Sequence, residues 1–262
     1  MREVTIGRAL CWFSSGAASA IMTKLVLADN PEAIAVNCDL GESEDEDNER
    51  FLNDCVRWFN APVTRISSAE YLTIDEVFED KKFLSGFRGA PCTSAMKRVP
   101  RLEFQRDGDI HYFGYTADKR DVERAAKFKT NSPGLEVRFP LIERGLTKEA
   151  CFALLERAGI KRPRIYDMGY PNGNCPGCVK ATSPDYWALV RLRHPEVFAR
   201  RAEQSRRFGA RLAIIGQETD AEGKRHNIRA FIDEIPADQP ILNPIVSSCD
   251  FLCHLSGQDI AA

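Results

Sequence analysis

Apolar positions along this chain fall into two kinds of run. Short continuous ones (Ile6, Ala9, Leu10, Trp12 and Phe13; Ala33 to Cys38; Pro62 to Ile66; Ile110 to Gly114; Val137 to Ile142) read as buried strands. Between several of them the spacing becomes helical: Ile21, Leu25, Val26 and Leu27, then Phe51, Leu52, Cys55, Val56 and Phe59. A later helix carries Ala150, Cys151, Leu154, Leu155 and Ala158, opened by Thr147 and stopped by Gly159. Another is expected from near Thr93 through Met96 and Val99, kinked or divided by Pro100. Strands alternating with helices through short turns predict an α/β fold over residues 1–160: a Rossmann-like, doubly wound, mostly parallel five-stranded sheet covered on both faces. In that architecture ligands bind outside the carboxyl ends of the strands.

Beyond Gly159 the pattern changes. Pro163, Gly169, Pro171, Gly173 and Pro176 make an irregular loop around Asn174-Cys175-Pro176-Gly177-Cys178. A long helix is expected after Ser183, broken near His194-Pro195, with two short strands after it (Leu212 to Ile215, Ala230 to Ile232) forming a hairpin. A tail then carries Cys249 and Cys253-His254. Residues 161–262 therefore read as a cysteine-bearing, helical C-terminal extension packed on the first domain as one structural unit.

Composition narrows the classes. The 262 residues are 44% hydrophobic and 28% charged with a net charge of -2, which suits one large α/β domain with a modest appendage. Near-neutral balance removes any whole-protein electrostatic case for nucleic acid. Arg2, Glu3 and Arg8 interrupt the N-terminal apolar residues, so no signal peptide is read there, and no apolar segment approaches a membrane span. The expected setting is cytoplasmic, without a membrane partner. Nine cysteines with irregular spacing argue against a disulfide framework. Cys11, Cys38, Cys55 and Cys151 sit in apolar patterns and read as small core side chains. Cys92, Cys175, Cys178, Cys249 and Cys253 lie in turn-rich sequence and need another explanation.

Candidate chemistry gathers after the strands. Ser14, Ser15, Gly16, Ala17, Ala18 and Ser19 follow the first one. A tight small-residue turn into a helix lets phosphate oxygens meet main-chain amides, although an ordinary capped strand–helix corner has the same composition. Asp39 ends the second strand, and Gly114 to Arg120 follow a later one, so all three can share a crevice. The acidic run from Glu42 to Glu49 reads as a solvated helix start. The basic face of the late helix (residues 183–211: Arg191, Arg193, Arg200, Arg201, Arg206, Arg207, Arg211) reads as solvated, with nucleic-acid contact as the alternative. The Cys-x-x-Cys turn lacks the preceding strand that a dithiol redox centre would have. Three further loop cysteines favour a metal, with zinc and an iron–sulfur cluster both open.

Four passages together resemble the PAPS reductase / N-type ATP pyrophosphatase family, the PP-loop branch of the HUP-type adenine nucleotide α-hydrolase fold. Ser14 to Ser19 is similar to its Ser-Gly-Gly-x-Asp-Ser loop. Cys92-Thr93-Ser94-Ala95-Met96-Lys97 with Pro100 is similar to the Cys-Thr-x-x-Leu-Lys segment of DNA-phosphorothioation ATP pyrophosphatases. Gly114 to Arg124 resembles the post-strand Gly-x-Arg segment, and Asn174 to Cys178 the late Cys-x-x-Cys of iron–sulfur members. The likeness spans roughly residues 5 to 180 and extends to phage and bacterial PAPS-reductase-like proteins.

The resemblance implies an enzyme with an adenine nucleotide, ATP or a sulfonucleotide, on the Ser14–Ser19 loop, and Lys97 and Arg120 as catalytic cations. It implies a 4Fe-4S cluster on Cys92, Cys175 and Cys178, with Cys253 or Cys249 as fourth ligand and zinc as the alternative metal. In the leading form, ATP adenylates an acceptor, nucleic acid being one candidate, for sulfur insertion. In the alternative, a sulfonucleotide is reduced, with Cys253 as nucleophile and sulfite released. A sulfur donor or a thiol reductant protein would be the partner. A non-catalytic nucleotide- or nucleic-acid-binding partner is the reading from another class. Ala18 departs from the family pattern, because ATP-cleaving members carry there an Asp that helps hold Mg²⁺; Asp39 is a possible replacement.

Overall fold

The computed structural model describes residues 7–86, 89–173 and 175–241. Its centre is a five-stranded parallel sheet of β1 (Ala9–Trp12), β2 (Ile34–Cys38), β3 (Val63–Ile66), β4 (Ile110–Phe113) and β5 (Glu136–Arg138), in the order β3-β2-β1-β4-β5. Cys11 stands in register with Ala35 on one side and Tyr112 on the other. The chain winds outward from β1 to β3 and then returns to place β4 on β1's other edge. That reversal opens a crevice at the carboxyl ends of β1 and β4. The fold is α/β and Rossmann-like, as the alternation of runs predicted.

Strand β1 is apolar throughout because both its faces are covered. Cys11 and Phe13 pack into the main core, while Leu10 and Trp12 join Val36, Phe104 and Phe113 on the opposite face. Helices α1 (Ala17–Asp29), α2 (Asp47–Phe59) and α3 (Ile74–Lys81) follow β1, β2 and β3. A divided helix then runs as α4 (Pro91–Thr93), a π-helical segment (Ser94–Arg98) and α5 (Val99–Phe104). Pro100 sits in the first turn of α5, where its missing N–H costs least, and the widened turn just before it accommodates the break.

Several elements differ from the sequence reading; the strand expected from Ala230 to Ile232, for one, runs instead over Arg225–Ala230. Helix α6 (Lys119–Asn131) has no apolar stripe to announce it, since Ala125 is its one buried residue. The expected strand from Val137 to Ile142 stops at Arg138, and Pro140 opens helix α7 (Pro140–Glu143). Proline cannot donate to a sheet ladder, and its fixed φ suits a helix start.

Helices α8 (Lys148–Arg157), α9 (Arg164–Asp167), α10 (Pro184–Arg193) and α11 (Pro195–Arg207) lead to an antiparallel hairpin, β6 (Ala213–Thr219) and β7 (Arg225–Ala230). Trp187, Leu189 and Val190 of α10 belong to the same hydrophobic cluster as Phe13 and Phe51, so the later elements share the core of the sheet domain. Among the described residues no helix is long and apolar enough to cross a membrane.

Two carboxylates carry much of the polar cross-linking. Asp109 receives both Arg8 Nε (3.0 Å) and Arg8 Nη2 (2.7 Å), and Asp75 is bonded by Arg201 and by Gln204 Nε2 (3.1 Å). Burial alone would raise both carboxyl groups. The guanidinium of Arg8 and the N–H of Arg106 at Asp109, and Arg201, Gln204 and Arg200 at Asp75, outweigh it and hold both below the ordinary range. A depressed folded pKa gives stability that is complete above the unfolded value, about 3.9, and lost as pH falls through the folded one. Urea midpoints should therefore hold near neutral pH and fall below about pH 4. The fall should be shallower in Asp75→Asn; equal slopes in the two proteins would contradict this account.

Candidate functional site

Strand β1 ends in Ser14-Ser15-Gly16, and α1 begins at Ala17. Ser19 fastens the turn: its Oγ accepts from the N–H groups of Ser14 (3.1 Å) and Gly16 (3.3 Å) and donates to the Gly16 carbonyl (2.9 Å). Ser15 adopts a left-handed φ of 52°, unusual for a residue with a side chain, and Asn37 Nδ2 holds its hydroxyl at 3.2 Å. Ser14 lines one cleft and Ser15 another.

The larger part of the expected site lines one of them, a cleft of about 780 Å³ over the β1–β4 reversal. Ser14, Gly16, Ala18, Ser19, Lys97, Gly114 and Arg120 all face it. Ser15 and Asp39 line the other cleft, and Ala17 is fully buried. Asp39 is also occupied there: one oxygen accepts from Arg65 (2.9 Å), the other from the Gly41 N–H (2.9 Å).

The first cleft is cationic. Lys97, Arg98, Arg101, Arg120 and Lys180 line it without a carboxylate salt bridge among the described residues, and Arg101 Nε is buried without a partner. The Asp118 and Asp121 carboxylates on its wall are engaged by Thr116, the Lys148 N–H and Arg124. Solvent reaches Lys97 inside the cleft, where the protein crowded around it works against its charge. Cys175, Glu44, Cys38 and Cys178 outweigh that and hold its ammonium above the usual lysine value. Such an arrangement accepts a polyanion, with the first amides of α1 at one end.

Gly114 makes the approach possible. A Cβ there would stand 2.7 Å from Ser19 Cα and 2.8 Å from Ser19 N, so a side chain would push β4's end off the α1 turn. Gly114→Ala is expected to cost about 1–3 kcal/mol of stability, as overpacked sites do. It should also weaken binding of anions in the cleft, measured by urea denaturation and by ATP titration. Wild-type values in both would show that the turn has slack.

Of the expected metal ligands, Cys92, Cys175 and Cys178 fall within the described residues, on two separate segments. Cys92 opens α4, and Cys175 and Cys178 flank the Pro176-Gly177 turn. Gly177 has a φ of 68°, and a Cβ on it would meet Val197 Cγ1 at 2.6 Å, so the turn lies flat against α11. Arg201, 1% exposed, donates from Nε to the Gly177 carbonyl at 3.3 Å. Burial pushes the Cys175 thiol up to about 12, with Cys178 and Cys92 adding to the rise after Lys97 and Glu44 act in opposite senses. Cys92 is likewise raised, by burial first and then by Cys178. Thiols are the soft donors that iron–sulfur clusters and zinc take. Among the described residues no three His, Cys, Asp or Glu side chains are placed to hold a single metal ion, while Cys249 and Cys253 lie outside the described residues.

Several residues enter the site that the sequence did not mark. Cys38, read as a core thiol, is half-buried and lines the cationic cleft with its Sγ 3.9 Å from the Lys97 carbonyl. The end of a strand looks the same in sequence whether its last side chain meets core or crevice. Glu44 lines both clefts, and burial raises its carboxyl despite Lys97 and Asn48. Tyr166 reaches from α9 to the Ser14–Ser19 turn, its hydroxyl beside the backbone of Ala17 and Gly173.

The basic face of the late helix is occupied from within. Arg200 and Arg201 hold Asp75, Arg206 holds Asp233 and Glu234, Arg207 holds Glu79, and Arg191 donates to the carbonyls of Ile235 and Pro236.

No family model and no curated protein matches the sequence. Among solved structures, the chain is similar to phosphoadenylyl-sulfate (PAPS) reductase from Candida auris in its phosphate complex, at a TM-score of 0.48 and 8% identity, covering 66% of this chain and 84% of that one.

Proposed function

We propose that this chain is an enzyme of the PAPS reductase type that binds an adenine nucleotide in the cationic cleft and acts in sulfur transfer. The observation that carries the reading is the cleft itself: Lys97, Arg98, Arg101, Arg120 and Lys180, without a salt bridge among the described residues, line it together with the first turn of α1, and Cys175, Cys38 and Cys178 act on the Lys97 charge. With ATP as substrate, an acceptor oxygen bonds to the α-phosphorus, the α–β phosphoanhydride breaks, and pyrophosphate leaves. The loop amides and Lys97 stand where that charge develops. Trp12, Phe113 and Tyr115 supply apolar surface in the same cleft for a base.

Cys92, Cys175 and Cys178 would hold a 4Fe-4S cluster, with Cys249 or Cys253 as the fourth ligand. Such a cluster supplies electron transfer or a sulfur-anchoring site when bound. What supports this is the chemistry of the donors, since thiolates are the ligands that such a cluster takes. Lys97 lines the nucleotide cleft and also acts on the Cys92 and Cys175 thiols, so it would offset negative charge from both sets.

One observation favours a second reading. Ala18 offers no carboxylate, and Asp39 faces the other cleft and is paired with Arg65, so the loop side of the cationic cleft balances anionic charge with cations alone. That balance also suits a sulfonucleotide, whose sulfur a thiolate would attack as the nucleotide leaves. Anaerobic purification with iron and sulfide analysis, then titration with ATP and with adenosine 5′-phosphosulfate, tests both. Iron and acid-labile sulfide in equal amounts with pyrophosphate release supports the first; thiol-dependent sulfite release supports the second. Stoichiometric zinc without iron would overturn the cluster, and absence of nucleotide binding would overturn the site.

A further inference from the structure

One aromatic side chain from the later part of the chain crosses to the start of α1. Tyr166, on α9, places its oxygen where two glycines leave room for it. A Cβ on Gly16 would stand 3.4 Å from Tyr166 Oη, and one on Gly173 would stand 3.1 Å from it. Both glycines line the cationic cleft, as Tyr166 itself does, so the hydroxyl is the end of this side chain that faces the ligand space.

Packing fixes the ring. Phe152 meets it edge-on with 4.9 Å between centroids, and Lys148 Nζ stands 5.5 Å over it. That ammonium is itself tied down by the Pro171 carbonyl and by Asn172 Oδ1 (3.0 Å). Tyr166 is 7% exposed, yet its hydroxyl is not among the polar side-chain atoms that are sealed from solvent without a partner. The backbone N–H groups of Ala17 and Gly173 face its oxygen and offset part of the rise that burial gives the phenol. Both are donors, so they engage the lone pairs, and no described group accepts the phenolic proton. Ala17 is fully buried, so at this corner of the cleft an anion meets the phenol rather than the first amide of α1. A hydroxyl that accepts from an amide is also the stronger donor, because chained hydrogen bonds polarise one another.

We propose that Tyr166 is a ligand-contacting residue of the cationic cleft, its hydroxyl donating to a phosphate oxygen of the nucleotide beside the first turn of α1. The lysines and arginines of the cleft supply charge on long, adaptable side chains. The phenol instead supplies a neutral, directional donor on a ring that cannot swing away, which is what fixes the place of one phosphate. The inference rests on the nucleotide reading and adds to it the group that meets the phosphates at the turn.

Two measurements on the full chain test it, with wild-type protein and with Tyr166→Phe, which keeps the ring and its contacts with Phe152 and Lys148. In calorimetric titration the variant should bind ATP about tenfold more weakly, the size of one hydrogen bond to a charged group. In ultraviolet difference spectra, saturation with inorganic triphosphate, which does not absorb there, should shift a tyrosine band of the wild type to the red, as donation by a phenol does. Tyr166→Phe should lack that shift. ATP affinity of the variant within about twofold of wild type would overturn the proposal. So would a tyrosine shift that is absent from the wild type or persists in the variant. A tenfold fall in affinity without the shift would trace the loss to the turn, whose amides lose their acceptor, and would overturn it as well. Wild-type protein that binds neither anion would instead strike at the nucleotide reading, so the two failures are distinguishable.

Discussion

Lys97→Met is expected to lower the affinity for ATP by about ten- to a hundredfold, the range of one charge-assisted contact in a partly desolvated site. Lys97 has no salt bridge among the described residues, and its surroundings favour the ammonium only as the excess of Cys175, Glu44, Cys38 and Cys178 over the protein crowded around it, so the folded chain gains modestly from the charge. Methionine retains most of the side-chain volume. Thermal stability should therefore stay level or fall slightly while binding is lost, a combination that a structural lysine would not give. Arg120, exposed on the first turn of α6, serves as the comparison. Arg120→Gln should weaken ATP by less than about tenfold. Calorimetric titration of both variants decides the matter: affinity of Lys97→Met within about twofold of wild type would remove the phosphates from this end of the cleft.

The second large effect is on the cysteine turn. Arg201 is nearly inaccessible, stacks at 5.0 Å over Phe78, and joins Asp75 and Gln204 to the Gly177 carbonyl. Arg201→Met leaves Asp75 with Arg200 (3.2 Å) and Gln204 but removes its buried partner. Removing one member of a buried pair costs about 3–5 kcal/mol, and partial exposure of Asp75 places this case near the lower end. Arg200→Met, half-exposed, should change stability by less than about 1 kcal/mol. The Gly177 contact adds a local readout, because Cys175 and Cys178 should become more reactive toward an alkylating thiol reagent in Arg201→Met only. Stability within about 1 kcal/mol of wild type would show that the buried pair does not hold the turn.

Legibility of the chain followed the strength of its periodic signal. Parallel strands buried on both faces announce themselves as apolar runs, and the β1 to β4 runs ended within a residue or two of their expected bounds. Helix α6 was silent because a polar helix that buries a single alanine leaves no stripe to count. The same blindness affected charge. Arg200, Arg201, Arg206 and Arg207 recur on one helix as a basic face would, and the sequence contains no sign that Asp75, Glu79, Asp233 and Glu234 come to meet them.

By itself the sequence determined the alternation that makes a five-stranded parallel sheet, the small-residue turn where β1 meets α1, the Pro-divided helix carrying Cys92 and Lys97, and the Cys-x-x-Cys turn. All of these are local: they follow from side-chain period, from backbone freedom at glycine and from what proline cannot do. Tertiary structure decided which side of the turn each residue faces. Ser14 and the left-handed Ser15 line different clefts, Arg65 draws Asp39 away from the cationic one, and Cys38 and Glu44 take places beside Lys97. Those outcomes depend on pairings between residues tens of positions apart, and such pairings leave no periodic trace along the chain.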